Sequence, residues 1–426
     1  MAKRLFFSIL IFTSLSLTAQ NSTVSPYSAF GLGEFRSIRS VENQSMGGLT
    51  FFGDSIHLNL NNPAALGKLG LATYAGSLSR KQTQMATESD KQGVAVTNME
   101  YIALALPLAA QRAGLAFGIK PFSSVGYTLE DIQTTESGAN ILNEYTGSGG
   151  LNQVFLGLGF QLLPKVHFGA MSNYYFGQLR NKRVQVTDGI AYGTLDQRQS
   201  DVSGFDFNLA LSYSPNIGPK HSLYSTVRLQ TQANLVSKNE RVIGTFVPIS
   251  GNDIETEQVD LAASNLLRPT IGVPATYSFG LGIGENYHWM LGGEYSMQQF
   301  SNFSNPFLDD DNISYADAST LAIGGFWVPD HTEIDNYFRR IAYRAGVRME
   351  NSGFLVNNQE INNFGITFGM GLPMGFEYSN INVGFEVGRR GATVNGLVRE
   401  SYLKVSLGLS LNASGPNRWF QKRQIN

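Results

Sequence analysis

The chain has 426 residues, 15% of them charged and 42% hydrophobic, with 46 glycines, 28 phenylalanines, 18 tyrosines, no cysteine and a formal net charge of -2. That is too little charge for an ordinary soluble enzyme and too polar for a helical membrane protein, while glycine and aromatics without charge suit long antiparallel strands. The charge balance gives no bulk attraction to nucleic acid, and the lack of cysteine excludes disulfide frameworks, thiolate metal sites, cysteine nucleophiles and lipidation on an N-terminal cysteine.

Residues 1–19 read as a signal peptide: basic Lys3 and Arg4, an apolar run over 5–17, and Leu17-Thr18-Ala19 before the expected cleavage. The run is too short to span a bilayer, and no later window of about 18 apolar residues exists. Any membrane location must then come from a closed barrel, because lipid cannot satisfy an open strand edge. Residues 20–67 are rich in Gly, Ser and Asn, with breaks at Ser25-Pro26 and Asn62-Pro63. They are expected to fold into the lumen as a plug, or hatch; a disordered periplasmic extension is the other outcome their polarity allows.

From 68 to 412 the pattern has period two. Leu403, Val405, Leu407, Leu409 and Leu411 alternate with Lys404, Ser406, Gly408, Ser410 and Asn412. Phe205, Phe207, Leu209, Leu211 and Tyr213 do the same, as do Leu223, Val227, Leu229, Ala233 and Leu235, and Ile381, Val383, Phe385 and Val387. A soluble sandwich alternates too. The connections decide: a first strand over about 68–80 is followed by polar stretches at 81–97, 127–151, 181–202, 238–268, 301–315, 351–362 and 391–399 that alternate with short turns. Long loops on one side and short turns on the other are the rule of outer-membrane barrels. The prediction is an all-β, 14-stranded antiparallel transmembrane barrel with an N-terminal plug, both termini periplasmic and a basic tail over 413–426. Tyr174, Tyr175, Phe176, Trp289, Tyr295, Phe326 and Trp327 near strand ends are candidates for interfacial girdles.

Met46-Gly47-Gly48, then Asn62, Pro63, Ala64, Ala65 and Leu66 just before the first strand, resemble the FadL family of outer-membrane transporters for long-chain fatty acids and aromatic hydrocarbons. Pro274 to Gly282 with Trp289 and Gly292-Gly293-Glu294-Tyr295 resembles its paired strands in the second half. The basic Arg418 to Arg423 tail departs from a chain that ends on its last strand. The resemblance implies a hatch and lateral exit of hydrophobic ligand through a gap at a kinked third strand. Pro121, with Ser123, is the candidate kink, since a proline removes a ladder hydrogen bond; the alternative is that the strand ends at Lys120.

No chemistry of catalysis stands out. His57, His167, His221, His288 and His331 lack ligand spacing, and no nucleophile elbow precedes a helix. Gly280, Gly282 and Gly284 read as small residues on one strand face, and Asp309-Asp310-Asp311-Asn312 as a loop tip more than a calcium site. No cofactor and no metal is expected. Strand faces put Lys120, Arg228, Arg344, Arg348 and Lys404 in the lumen with Asp206, Glu294 and Glu386, where mixed signs predict ion pairs, not an ion-selective pore. Leu49, Phe51, Phe52, Phe155 and Met171 are the candidate lining of an apolar ligand pocket; simple contact between plug and barrel is the other reading of Phe155 and Met171. Two functions follow: a passive channel for small hydrophobic molecules, or a structural or plugging subunit of an outer-membrane machine for type IX secretion or barrel assembly. The partners expected are outer-membrane lipid, a hydrophobic small molecule and other outer-membrane proteins, with no nucleic acid.

Overall fold

The computed structural model describes residues 22–136, 138–308, 313–375, 378–394 and 396–413. The signal peptide, the 309–312 loop tip and the basic tail beyond 413 lie outside the described residues. Among those described, fourteen staves form one sheet. They are β1 (Ala72–Ala86), β2 (Lys91–Ala109), β3 (Ala113–Thr134), β4 (Asn140–Leu163), β5 (Val166–Thr187) and β6 (Gly193–Tyr213). β7 runs through His221–Gln230 and Ala233–Phe246, and β8 through Thr270–Val273 and Thr276–Glu285. β9 (Trp289–Gln298), β10 (Ala318–Trp327), β11 (Ala342–Val356), β12 (Gln359–Pro373), β13 (Asn380–Arg390) and β14 (Arg399–Ala413) complete the ring. β14 pairs with β13 on one side and with β1 on the other, from Ala72↔Ala413 to Ala86↔Arg399, so the barrel closes.

The closure follows from two solvents meeting one strand. On β14, Leu403, Leu407, Leu409 and Leu411 face outward and are exposed, whereas Ser406, Ser410 and Asn412 face inward and are buried. On β4, Val154, Leu156, Leu158 and Phe160 make the outer face, and Gln153 and Phe155 the inner one. Such an apolar belt is what hydrocarbon requires of a strand that crosses it.

Several boundaries differ from those expected. β3 to β6 are 22, 24, 22 and 21 residues long. The stretches expected as loops at 127–151 and 181–202 are mostly their continuations, as 81–97 is of β1 and β2, and 351–362 of β11 and β12. Above the membrane both faces of a strand are wet, so apolar alternation fades although pairing goes on. β1 starts at Ala72, not 68, because Pro63–Lys68 is a short 3-10 helix. In β7, Thr231 and Gln232 interrupt the ladder, which turns Ala233 and Leu235 inward instead of outward. Tyr175 is fully buried and Phe326 packs on Phe52, so neither belongs to a girdle.

The core lies inside the ring. Residues 22–71 supply Leu32, Ile38, Val41, Met46, Leu49, Phe51, Leu60 and Leu66, all buried against inward-facing side chains of the staves.

Candidate functional site

Asn62, Pro63 and Ala64 organise the end of the N-terminal segment. The Asn62 carboxamide oxygen caps the 3-10 helix by accepting from the Ala64 N–H at 3.1 Å, and its amide donates to the Thr50 and Phe51 carbonyls. Pro63 fits the first helical position, where no N–H is needed. Barrel glycines receive the segment: a Cβ on Gly159 or Gly169 would strike the Pro63 backbone, and one on Gly280, Gly282 or Gly292 would strike the Phe51 ring. The glycine alternation of β8 is thus a seat for one aromatic side chain.

Polar anchors repeat around the lumen. Glu294 on β9 accepts from the Thr50 N–H at 2.6 Å, the Thr50 hydroxyl at 2.7 Å and the Phe51 N–H at 2.9 Å, with Arg228 3.7 Å away. Gly47 N–H donates to Thr367 at 2.8 Å, and Asn382 donates to Glu42 at 2.8 Å. Arg36 pairs with Glu100 and Arg390 with Glu34, each at 2.9 Å. Burial alone would raise the Glu34 carboxyl, but Lys81, Arg390 and the Thr23 hydroxyl outweigh it and hold the group at about 2.

Of the charges placed in the lumen by sequence, Arg348 pairs with Glu386 at 2.5 Å, and Lys404 pairs with Glu100 at 3.1 Å. Asp206 sits in a neutral cradle instead, accepting from Asn173, Tyr175 and Gln230 at 2.6, 2.7 and 2.8 Å. Arg344 donates to the Asn382 side chain at 2.9 Å, and Lys120 reaches only the Ile38 carbonyl at 3.5 Å. The anchoring acids Glu34, Glu100 and Glu400, the last accepting from Ser25, were not read from the sequence. Their partners lie from 11 to 375 residues away in sequence, and strand ends above the belt carry no periodic signal.

The five apolar candidates are not brought together. Leu49, Phe51 and Phe52 pack with Tyr224, Met290 and Phe326, while Phe155 and Met171 pack with Leu66, Leu69 and Tyr101 in a separate cluster. Four of the five are buried, and Phe52 is half-buried against Tyr224 and Phe326. What remains open is a cavity of about 370 Å³, which Met171 of the five lines, with a wall largely of charged and polar side chains, among them Arg39, Lys120, Asn173, Asn208 and Arg228. Phe300 and Phe303, from the connection between β9 and β10, pack beside it with Phe35 and Phe354, and Asn305 donates to the Gly31 carbonyl at 3.0 Å.

β3 does not end at Lys120. Its ladder with β4 continues to Thr134 through a bulge between Pro121 and Ser123. On its other edge pairing with β2 spans only Ile102↔Ile119 to Ala109↔Ala113, so Lys91 to Tyr101 of β2 have no partner on β3. Above Pro121 that edge of β3 is taken by Glu34 and Phe35, paired with Ser124 and Ser123. Proline lacks the N–H that the next rung would need.

Among the described residues no group of three His, Asp or Glu side chains is placed to hold a metal ion. A family model described as BamG matches residues 1–426. No curated protein sequence matches. Among solved structures, a FadL homologue of Pseudomonas aeruginosa is similar at TM-score 0.57 and 12% identity, over 89% of this chain and 98% of that one. The CymD monoaromatic hydrocarbon channel gives 0.57 and 12% over 91% and 99%. The toluene transporter TbuX of Ralstonia pickettii gives 0.55 and 13% over 90% and 99%. The likeness is one of fold: the chain has the architecture of the FadL-type outer-membrane barrels.

Proposed function

Because the chain belongs to the BamG family over its whole length, we propose that it is a plugged outer-membrane barrel acting as a structural subunit of a barrel-assembly complex. The observation that carries the reading is the filled lumen: residues 22–71 consume the apolar side chains that would otherwise line a ligand pocket, and Phe300 and Phe303 pack against them. A closed wall with a fixed filling offers rigid outer surfaces to neighbours and no apolar route through its centre. The test is native purification from the outer membrane with quantitative mass spectrometry. Stoichiometric recovery of a second outer-membrane protein, such as an assembly-machine barrel, is expected; a lone chain carrying a bound hydrophobic molecule would overturn the reading.

A second reading, a passive channel for small hydrophobic molecules with lateral exit into the bilayer, is favoured by the gap between β2 and β3 beside Pro121 and by the fold shared with hydrocarbon channels. Replacing Pro121 and Ser123 by Val to favour continuous pairing should lower uptake of a hydrophobic probe if this route operates. Equal uptake by a folded variant would remove it.

A further inference from the structure

Buried cations normally carry a counter-charge; among the described residues Arg39, Lys120 and Arg344 of the lumen have no carboxylate within 4.0 Å, and the first two line the cavity. Arg39, in the N-terminal segment, is 8% exposed, and its Nε and Nη1 have no hydrogen-bond partner. Lys120, on β3, is 6% exposed, with the Ile38 carbonyl at 3.5 Å as its contact. Both side chains line the 370 Å³ cavity. Among the described residues no carboxylate lies within 4.0 Å of either, whereas Arg36, Lys81, Arg228, Arg348, Arg390 and Lys404 around the same cavity each have one. The nearby acids are engaged: Asp206 by three neutral donors, Glu294 by the Thr50 and Phe51 amides, and Glu350 by Arg348 at 3.7 Å. Burial and the neighbouring Arg348 hold the Arg39 guanidinium down at about 10, which still leaves it charged at neutral pH. Burying two cationic side chains without a carboxylate in contact is costly, and a guanidinium with unpartnered N–H groups is matched to an oxyanion.

We infer that Arg39 and Lys120 form a binding site for a small oxyanion of the phosphate type, held inside the lumen where it bridges the N-terminal segment to β3. Arg39 supplies guanidinium N–H donors and Lys120 an amine donor, and Arg228, already paired to Glu294, adds positive potential from β7. An anion in this position ties the segment to the stave that carries Pro121, so its binding stabilises the folded barrel. The site stands independently of the assembly-subunit reading, since it rests on lumen geometry alone.

The test uses the full mature protein, purified in detergent and in nanodiscs, in chloride buffer free of phosphate. Titration with inorganic phosphate, followed by calorimetry and by the temperature at which folded migration on gels is lost, should show saturable single-site binding and a rise in that temperature. A second arm detects anionic phospholipid adducts by native mass spectrometry. Binding of phosphate alone identifies a free anion, and binding of phospholipid alone identifies a lipid headgroup; either supports the site. Arg39→Gln and Lys120→Gln should each weaken binding at least about tenfold, while Arg80→Gln on the exposed face of β1 should not. If neither phosphate nor anionic lipid binds the native protein, or if both substituted proteins fold and bind as the native one does, the inference is wrong. The native-protein arms decide the matter even where a variant fails to fold.

Discussion

Glu294 holds two backbone amides and a hydroxyl that have no other acceptor in the lumen. Glu294→Ala leaves those amides buried and unmet, at a cost of about 1–3 kcal/mol each. The variant should lose folded migration on gels at a lower temperature than the native protein; an unchanged temperature would mean that Glu294 does not anchor the segment. Gly280 tests the same junction from the apolar side. Gly280→Leu should displace the Phe51 ring and destabilise by about 1–3 kcal/mol, and adding Phe51→Ala should recover part of that loss, which a double-mutant cycle measures. His57 reports on the opposite, turn-side mouth, where it contacts Asp54 at 2.6 Å. Burial opposes its protonation, but the Asp54 charge and hydrogen bond prevail and raise its pKa, with Glu42 assisting and Arg344 opposing; Lys68 and Ser55 are the other polar groups beside the pair. The sign follows: the contact contributes fully below the unfolded histidine value of about 6.5 and fades as pH rises through the higher folded value. Imidazole NMR should show a midpoint above the ordinary value, and Asp54→Asn should return it downward.

Among the elements, the staves were readable where lipid meets one face and not beyond. β14 shows this, its alternating leucines marking stave and facing together, whereas β3 and β4 run on past residue 127 into water, where Glu130, Asp131 and Asn143 erase the pattern without ending the ladder. The N-terminal segment was legible through its glycines, prolines and position before β1, yet the difference between an apolar pocket and an apolar packing contact was not. Phe51 and Phe155 look alike in sequence in either role; only the opposed glycines of β8 and β9, or Leu66 beside Phe155, tell which surface they meet. The connection between β9 and β10 gives a prediction at this scale. Replacing Phe300 and Phe303 together by Ser removes the ring packing over the lumen. Limited proteolysis near Gly31 and Gly33 should then accelerate, and unchanged cleavage would mean that this connection does not cover the segment.

At the scale of the whole molecule, the filling and the ring test each other. Deleting residues 21–66 should leave a barrel that still closes through β1 and β14, since that ladder uses no residue before Ala72. Single-channel conductance in a planar bilayer should rise severalfold over the full chain. Equal conductance would place the segment outside the conducting path and undo the account of a blocked lumen.

The unequal lengths of the staves make the ring lopsided. A stave of 24 residues such as β4, tilted about 40°, rises roughly 60 Å, whereas ten residues such as β9 or β10 rise only about 25 Å, the height of the apolar belt. The wall from β3 to β6 is therefore a parapet standing some 30 Å clear of the lipid headgroups, while the wall at β9 and β10 stops near the membrane surface. A neighbour moving in the plane of the membrane meets a different skyline from each direction, so one barrel of this outline can dictate the bearing at which another comes alongside.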